Sequence, residues 1–165
     1  MYAIVDRIDE IIEISSHSID AGINPIFIPL TADCFFYLKE NSYQFEKLSK
    51  YFTNTSQIDC LKFVEKYRDT FTNDFEYPAT KKEYSISNSF NLSYLIFVTE
   101  VILKVIDSDK NSKFITTNTF KLSSSPVYEN DSFISEILRQ IQINKNIIVI
   151  FCGKKNKVNL ISRPI

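Results

Sequence analysis

At 165 residues the chain fits one domain of ordinary size, and a hydrophobic fraction of 44% supplies apolar side chains for one sizeable core. Its 19 basic residues balance 20 acidic ones, a net charge of -1, which argues against a phosphate backbone or an anionic membrane as partner. The 2 glycines, Gly22 and Gly153, are too few for a GxGxxG or GxxxxGK loop, so the common dinucleotide and P-loop nucleotide sites are excluded and no cofactor is expected.

The elements follow from periodicity. Tyr2 to Val5 is a short apolar run ended by Asp6, and Ile8, Ile11, Ile12 and Ile19 then recur on a helical stripe, so a strand leads into a helix. Asp6 is placed to cap that helix, and Gly22 stands where a left-handed C-terminal cap would sit. Ile26-Phe27-Ile28 before Pro29 reads as a strand buried on both faces, which completes a right-handed strand–helix–strand crossover. A helical insertion comes next. Ala32 to Lys39 reads as a short helix capped by Thr31, and Glu46 to Phe52 as another. A stronger helix runs from about Gln57 to Phe71, with Cys60, Val64, Tyr67 and Phe71 on one face and Lys62, Glu65, Lys66 and Asp69 opposite. Ser56 and Asp59 have the spacing of a capping box at its start.

The polar stretch Thr72 to Asn88, with Pro78, reads as a surface connection. Phe90 to Ile106 is apolar nearly all round, including Leu92, Leu95, Ile96, Val98, Ile102, Leu103 and Val105, and is expected to be the buried central helix. A charged turn, Asp107 to Asn111, delivers a third strand at Lys113 to Thr116, and Thr117 to Asn130 is a loop holding Ser123-Ser124-Ser125-Pro126. Asp131 or Ser132 caps a helix with the stripe Ile134, Ile137, Leu138 and Ile141; Ile147 to Phe151 is the clearest strand, and Val158 to Ile161 would add an edge strand. The order predicts an α/β fold: a Rossmann-like, mostly parallel sheet flanked by helices, with a helical insertion between the second and third strands. One domain spanning 1–165 is expected.

Such sheets bind ligands beyond the carboxyl ends of their strands. The candidate ligand-binding residues are therefore Asp6, Thr31, Asp33, Thr117, Asn118, Gly153 and Lys154, each at or just after a predicted strand. Asp6 reads foremost as a helix cap, and Asp33 as a carboxylate favoured by the dipole of its helix. His17 is the only histidine and falls with Glu10, Glu13 and Asp20 on the polar side of the first helix, so no catalytic triad and no site needing two imidazoles can be assembled within the chain. Cys34, Cys60 and Cys152 lack any paired spacing; they read as buried small hydrophobes of a reducing compartment, and no metal site is expected. The serine run, the cluster Lys154-Lys155 with Lys157, and most of the 14 Phe and 9 Tyr have ordinary explanations as polar loop, solvated loop and core. No catalytic residue is identified. The start Met1-Tyr2-Ala3-Ile4-Val5-Asp6 lacks a secretory signal and Leu92 to Ile106 is too short and too charged to cross a bilayer, which together point to a cytoplasmic protein with no transmembrane segment.

The text Ile26-Phe27-Ile28-Pro29-Leu30-Thr31, then Phe35-Phe36-Tyr37-Leu38-Lys39-Glu40, then Tyr43-Gln44-Phe45-Glu46-Lys47-Leu48-Ser49-Lys50-Tyr51-Phe52, resembles the N-terminal half of bacterial surface-carbohydrate biosynthesis proteins with B-type glycosyltransferase architecture. The helical cluster, the buried helix and the strand Ile147 to Phe151 continue the likeness over most of the chain. None of this is a catalytic signature, and no catalytic residue carries over. The resemblance implies the acceptor-side half of a two-domain protein, the other half holding the nucleotide-sugar, so that hexosyl transfer would be incomplete in this chain and the partners would be a sugar acceptor and a second α/β domain. A different class of reading is a non-catalytic interaction module, motivated by a rich apolar inventory beside an empty catalytic one. A signalling receiver domain is weaker, since the third strand ends in Thr116-Thr117-Asn118 where a phosphorylatable aspartate would be needed.

Overall fold

The computed structural model describes residues 1–68, 78–117 and 133–153. The chain runs β1 (Tyr2–Val5), α1 (Ile8–Ala21), β2 (Ile26–Pro29), α2 (Ala32–Glu40), a 3-10 turn (Leu48–Lys50), α3 (Asn54–Arg68), α4 (Pro78–Ser108), β3 (Lys113–Thr117), α5 (Phe133–Lys145) and β4 (Ile148–Cys152). The described strands form one parallel sheet in the order β2-β1-β3-β4. It is an α/β fold of Rossmann-like layout, and the helical insertion falls between β2 and β3 as expected.

The period-2 alternation of each strand sends its side chains to two cores. Ala3, Val5, Phe27, Ile115 and Cys152 point to one face, where Ile11 and Ile14 of α1 and Cys34 and Leu38 of α2 pack on them. Ile4, Ile28, Phe114 and Val149 point to the other, under Val98, Val101, Ile102 and Val105 of α4 and Ile134 and Leu138 of α5. Each fully buried aliphatic side chain contributes roughly 1.5–3 kcal/mol. β1 pairs with β2 over Tyr2↔Ile26 to Val5↔Pro29 and meets β3 at Tyr2↔Phe114. Helices close that central seam from both sides: α1 runs beneath β3 and β4, and α4 lies over β1 and β3. The outer edge of β2 is blunted by a single parallel bridge, Phe27↔Phe45, in which the Phe27 N–H donates to the Gln44 carbonyl and the Glu46 N–H donates to the Phe27 carbonyl, both at 2.9 Å.

Several expectations need correction. The buried stripe of α1 is Glu10, Ile11, Ile14, Ser15 and Ser18, whereas Ile12 is 49% and Ile19 81% exposed. Gly22 does close α1 in the left-handed region, φ 64, but Asp6 is not its cap: the N-cap position is Arg7, which makes no side-chain cap hydrogen bond. The predicted helix from Glu46 to Phe52 is only the 3-10 turn, entered through extended Lys47. α3 starts earlier than predicted because Thr53, not Ser56, provides the cap, its Oγ1 accepting from the Ser56 N–H at 3.3 Å. α4 begins at Pro78, so most of the stretch read as a connection is helical; proline at a first helical position costs no hydrogen bond and has its φ already set. Nor is α4 buried all round, since Leu95, Ile96 and Leu103 are only half-buried beside the fully buried Val98, Val101, Ile102 and Val105. The proposed edge strand Val158 to Ile161 and the loop Ser123 to Ser125 lie outside the described residues. Among the described residues no helix is long and apolar enough to cross a membrane.

Candidate functional site

All four described strands end on one edge, so the topology brings the exits of β1, β2, β3 and β4 to the same side of the sheet. That edge carries Asp6 after β1, Thr31 at the β2–α2 junction, Thr117 at the end of β3 and Gly153 after β4. Asn118 and Lys154 lie outside the described residues.

Asp6 and Thr31, 25 positions apart, meet here. The Thr31 hydroxyl donates to the Asp6 carbonyl at 3.2 Å and accepts from the Cys34 N–H at 3.3 Å, so one side chain caps α2 and joins the exits of two strands. The Asp6 N–H donates to the Glu10 carboxylate at 3.2 Å, a backward reach like half of a capping box. Glu10 is only 3% exposed, and the Arg7 guanidinium lies 3.4 Å from it, with further approaches of 3.5 Å to Asp9 and 3.9 Å to Asp6. A buried carboxylate costs several kcal/mol unless paired, and Arg7 together with the Asp6 amide supplies the compensation.

From the opposite face of the sheet, Tyr94 of α4 donates its phenol to Oδ2 of Asp6. Burial, the Asp6 charge and that hydrogen bond push the Tyr94 phenol well above the usual tyrosine range, so it stays a donor. The other oxygen, Asp6 Oδ1, is buried and makes no hydrogen bond among the described residues. The structure therefore uses Asp6 to fasten β1, α1 and α4 together. This pairing spans 88 residues and no local pattern announces it.

The remaining candidates divide by exposure. Asp33 is exposed in the first turn of α2, Thr117 is buried at 1% exposure, and Gly153 is exposed with φ 98, a conformation that excludes a relaxed L side chain. His17 is half-buried on α1, less exposed than a fully solvated histidine. The Cys34 and Cys152 thiols are pushed up to about 11, chiefly by burial, with the charge of Asp6 acting on Cys34 and that of Glu13 on Cys152. Neither is a thiolate nucleophile near neutral pH. Among the described residues no group of three or more His, Cys, Asp or Glu is placed to hold a metal ion.

The open part of this edge lies beside β2. A cleft of about 390 Å³ is lined by Pro29, Leu30, Thr31, Ala32, Phe35, Lys47, Leu48 and Ser49. Its volume lies within the range of small-molecule sites, and its lining of apolar walls with a few polar groups has their usual composition. The sequence places Lys47, Leu48 and Ser49 within a helix. They reach the cleft because the chain leaves α2, bonds once to the edge of β2 through Phe45, and then turns in a single 3-10 step. No known protein family, curated protein or solved structure matches this chain.

Chemically, the described residues lining the cleft offer one cation, two hydroxyls and the ring of Phe35, and no carboxylate or imidazole among them. That set can hydrogen-bond and pack against a ligand. It supplies no group suited to take a proton near neutral pH.

Proposed function

We propose that the chain is a non-catalytic, ligand-binding α/β domain of the acceptor-side type, a glycosyltransferase-like half that holds a hydroxyl-rich sugar acceptor in the cleft beside β2 and needs a second α/β half for transfer. The observation that carries this reading is the cleft itself: an open site at the carboxyl edge of a parallel sheet, where such folds bind ligands, lined by hydrogen-bonding groups and apolar side chains. Lys47, Ser49 and Thr31 would meet sugar hydroxyls, and Phe35 and Leu48 the apolar face of the ring. The resemblance noted over Ile26 to Phe52 covers the same segment. The Thr31 hydroxyl, which lines the site, is tied to the β1 exit by its hydrogen bond to the Asp6 carbonyl.

The test is backbone NMR of the purified chain titrated with methyl hexosides and short oligosaccharides. The expected result is saturable shifts at Thr31, Ala32 and Lys47 to Ser49 with at least one of them, weakened roughly tenfold in Lys47→Ala, the scale of one lost charge-assisted hydrogen bond of about 1.4 kcal/mol. Incubation with nucleotide-sugars should give no transfer. Turnover by this chain alone would reject the acceptor-side reading, and shifts absent from the cleft for every sugar would reject the site. A purified chain that self-associates in light scattering, with the cleft silent, would favour an interaction module instead.

A further inference from the structure

We draw no further inference here: the strongest candidate, the apolar groove of about 420 Å³ between α4 and α5 lined by Leu95, Leu103, Ile137 and Ile141, carries nothing because nothing in the structure shows what covers it.

Discussion

The two faces of the sheet are covered by helices of different make. On the α4–α5 side, Val98, Val101, Ile102, Val105, Ile134 and Leu138 are all fully buried, with Thr116 and Ser135 as buried hydroxyls nearby. On the α1–α2 side, Ile11 and Ile14 share the buried stripe of α1 with Glu10, Ser15 and Ser18, while Ile12 and Ile19 of the same helix face solvent. The first face is held by apolar area. The second trades some of that area for small residues that fit a helix beneath β3 and β4 and for a buried carboxylate that organises the strand exits. Neither the Ser15 nor the Ser18 hydroxyl has a hydrogen-bond partner among the described residues, so this face carries a desolvation cost. Of these polar groups the Glu10 carboxylate lies at the strand-exit edge, bonded to the Asp6 amide, whereas Ser15 and Ser18 lie farther along α1.

The comparison breaks most readily on the apolar side. Phe114 is fully buried on β3 in the α4–α5 core, and Phe114→Ala should cost roughly 3–5 kcal/mol in urea unfolding. A loss below about 1 kcal/mol would mean that this face is not the packed core described. Tyr94 links the two sides, and Tyr94→Phe should cost roughly 1.5–3 kcal/mol, the range for a hydrogen bond to a charged group. Its pH dependence has a definite sign. Because the folded phenol is raised above its unfolded value, its stabilisation is complete below the ordinary tyrosine range and is lost as pH rises through and beyond that range. Alkaline difference spectra should show the Tyr94 phenol ionising later than an ordinary tyrosine, and earlier in Asp6→Asn, which removes the negative charge facing it. An unchanged spectrum in that variant would dissolve the link.

On the α1 face the effects are smaller and opposite to intuition. Ser18→Ala should be neutral or stabilising by up to about 1 kcal/mol, because it removes a buried hydroxyl without a partner. Ile19→Ser, a loss of apolar bulk, should stay within about 0.5 kcal/mol of the parent because Ile19 is 81% exposed. If Ser18→Ala or Ile19→Ser destabilised the chain by more than about 1 kcal/mol, the rotation of α1 about its axis would be wrong.

That pair also shows where the sequence could be read and where it could not. The strands at 26–28 and 147–151 were plain because continuous apolar runs in a parallel sheet have both faces covered, and Gly22 was plain because only the left-handed region makes glycine necessary there. The stripe of α1 was misjudged because four isoleucines outweighed Glu10, Ser15 and Ser18 in any count of hydrophobicity. The carboxylate's burial depends on Arg7 and on a strand-end amide, and the serines' burial on how closely the sheet approaches, neither of which is local. Pro78 reads as a breaker in the sequence yet opens α4, an ambiguity inherent in proline at a helix start. The strand-end rule located Asp6 and Thr31 but could not show that Tyr94 would occupy one oxygen of the aspartate, nor that Lys47 and Ser49 would come round to wall the cleft. Both facts belong to tertiary structure alone.

The central claim is that β1 lies inside a parallel sheet with β2 on one side and β3 on the other, an arrangement that brings the exits of β1 and β2 together beside the cleft. Interstrand NOEs on the isotope-labelled chain test it directly. The structure predicts contacts of Tyr2 with both Ile26 and Phe114 and the amide-to-Hα pattern of parallel neighbours. Strong Hα–Hα contacts between adjacent strands, or a β1 with a partner on one side only, would contradict it.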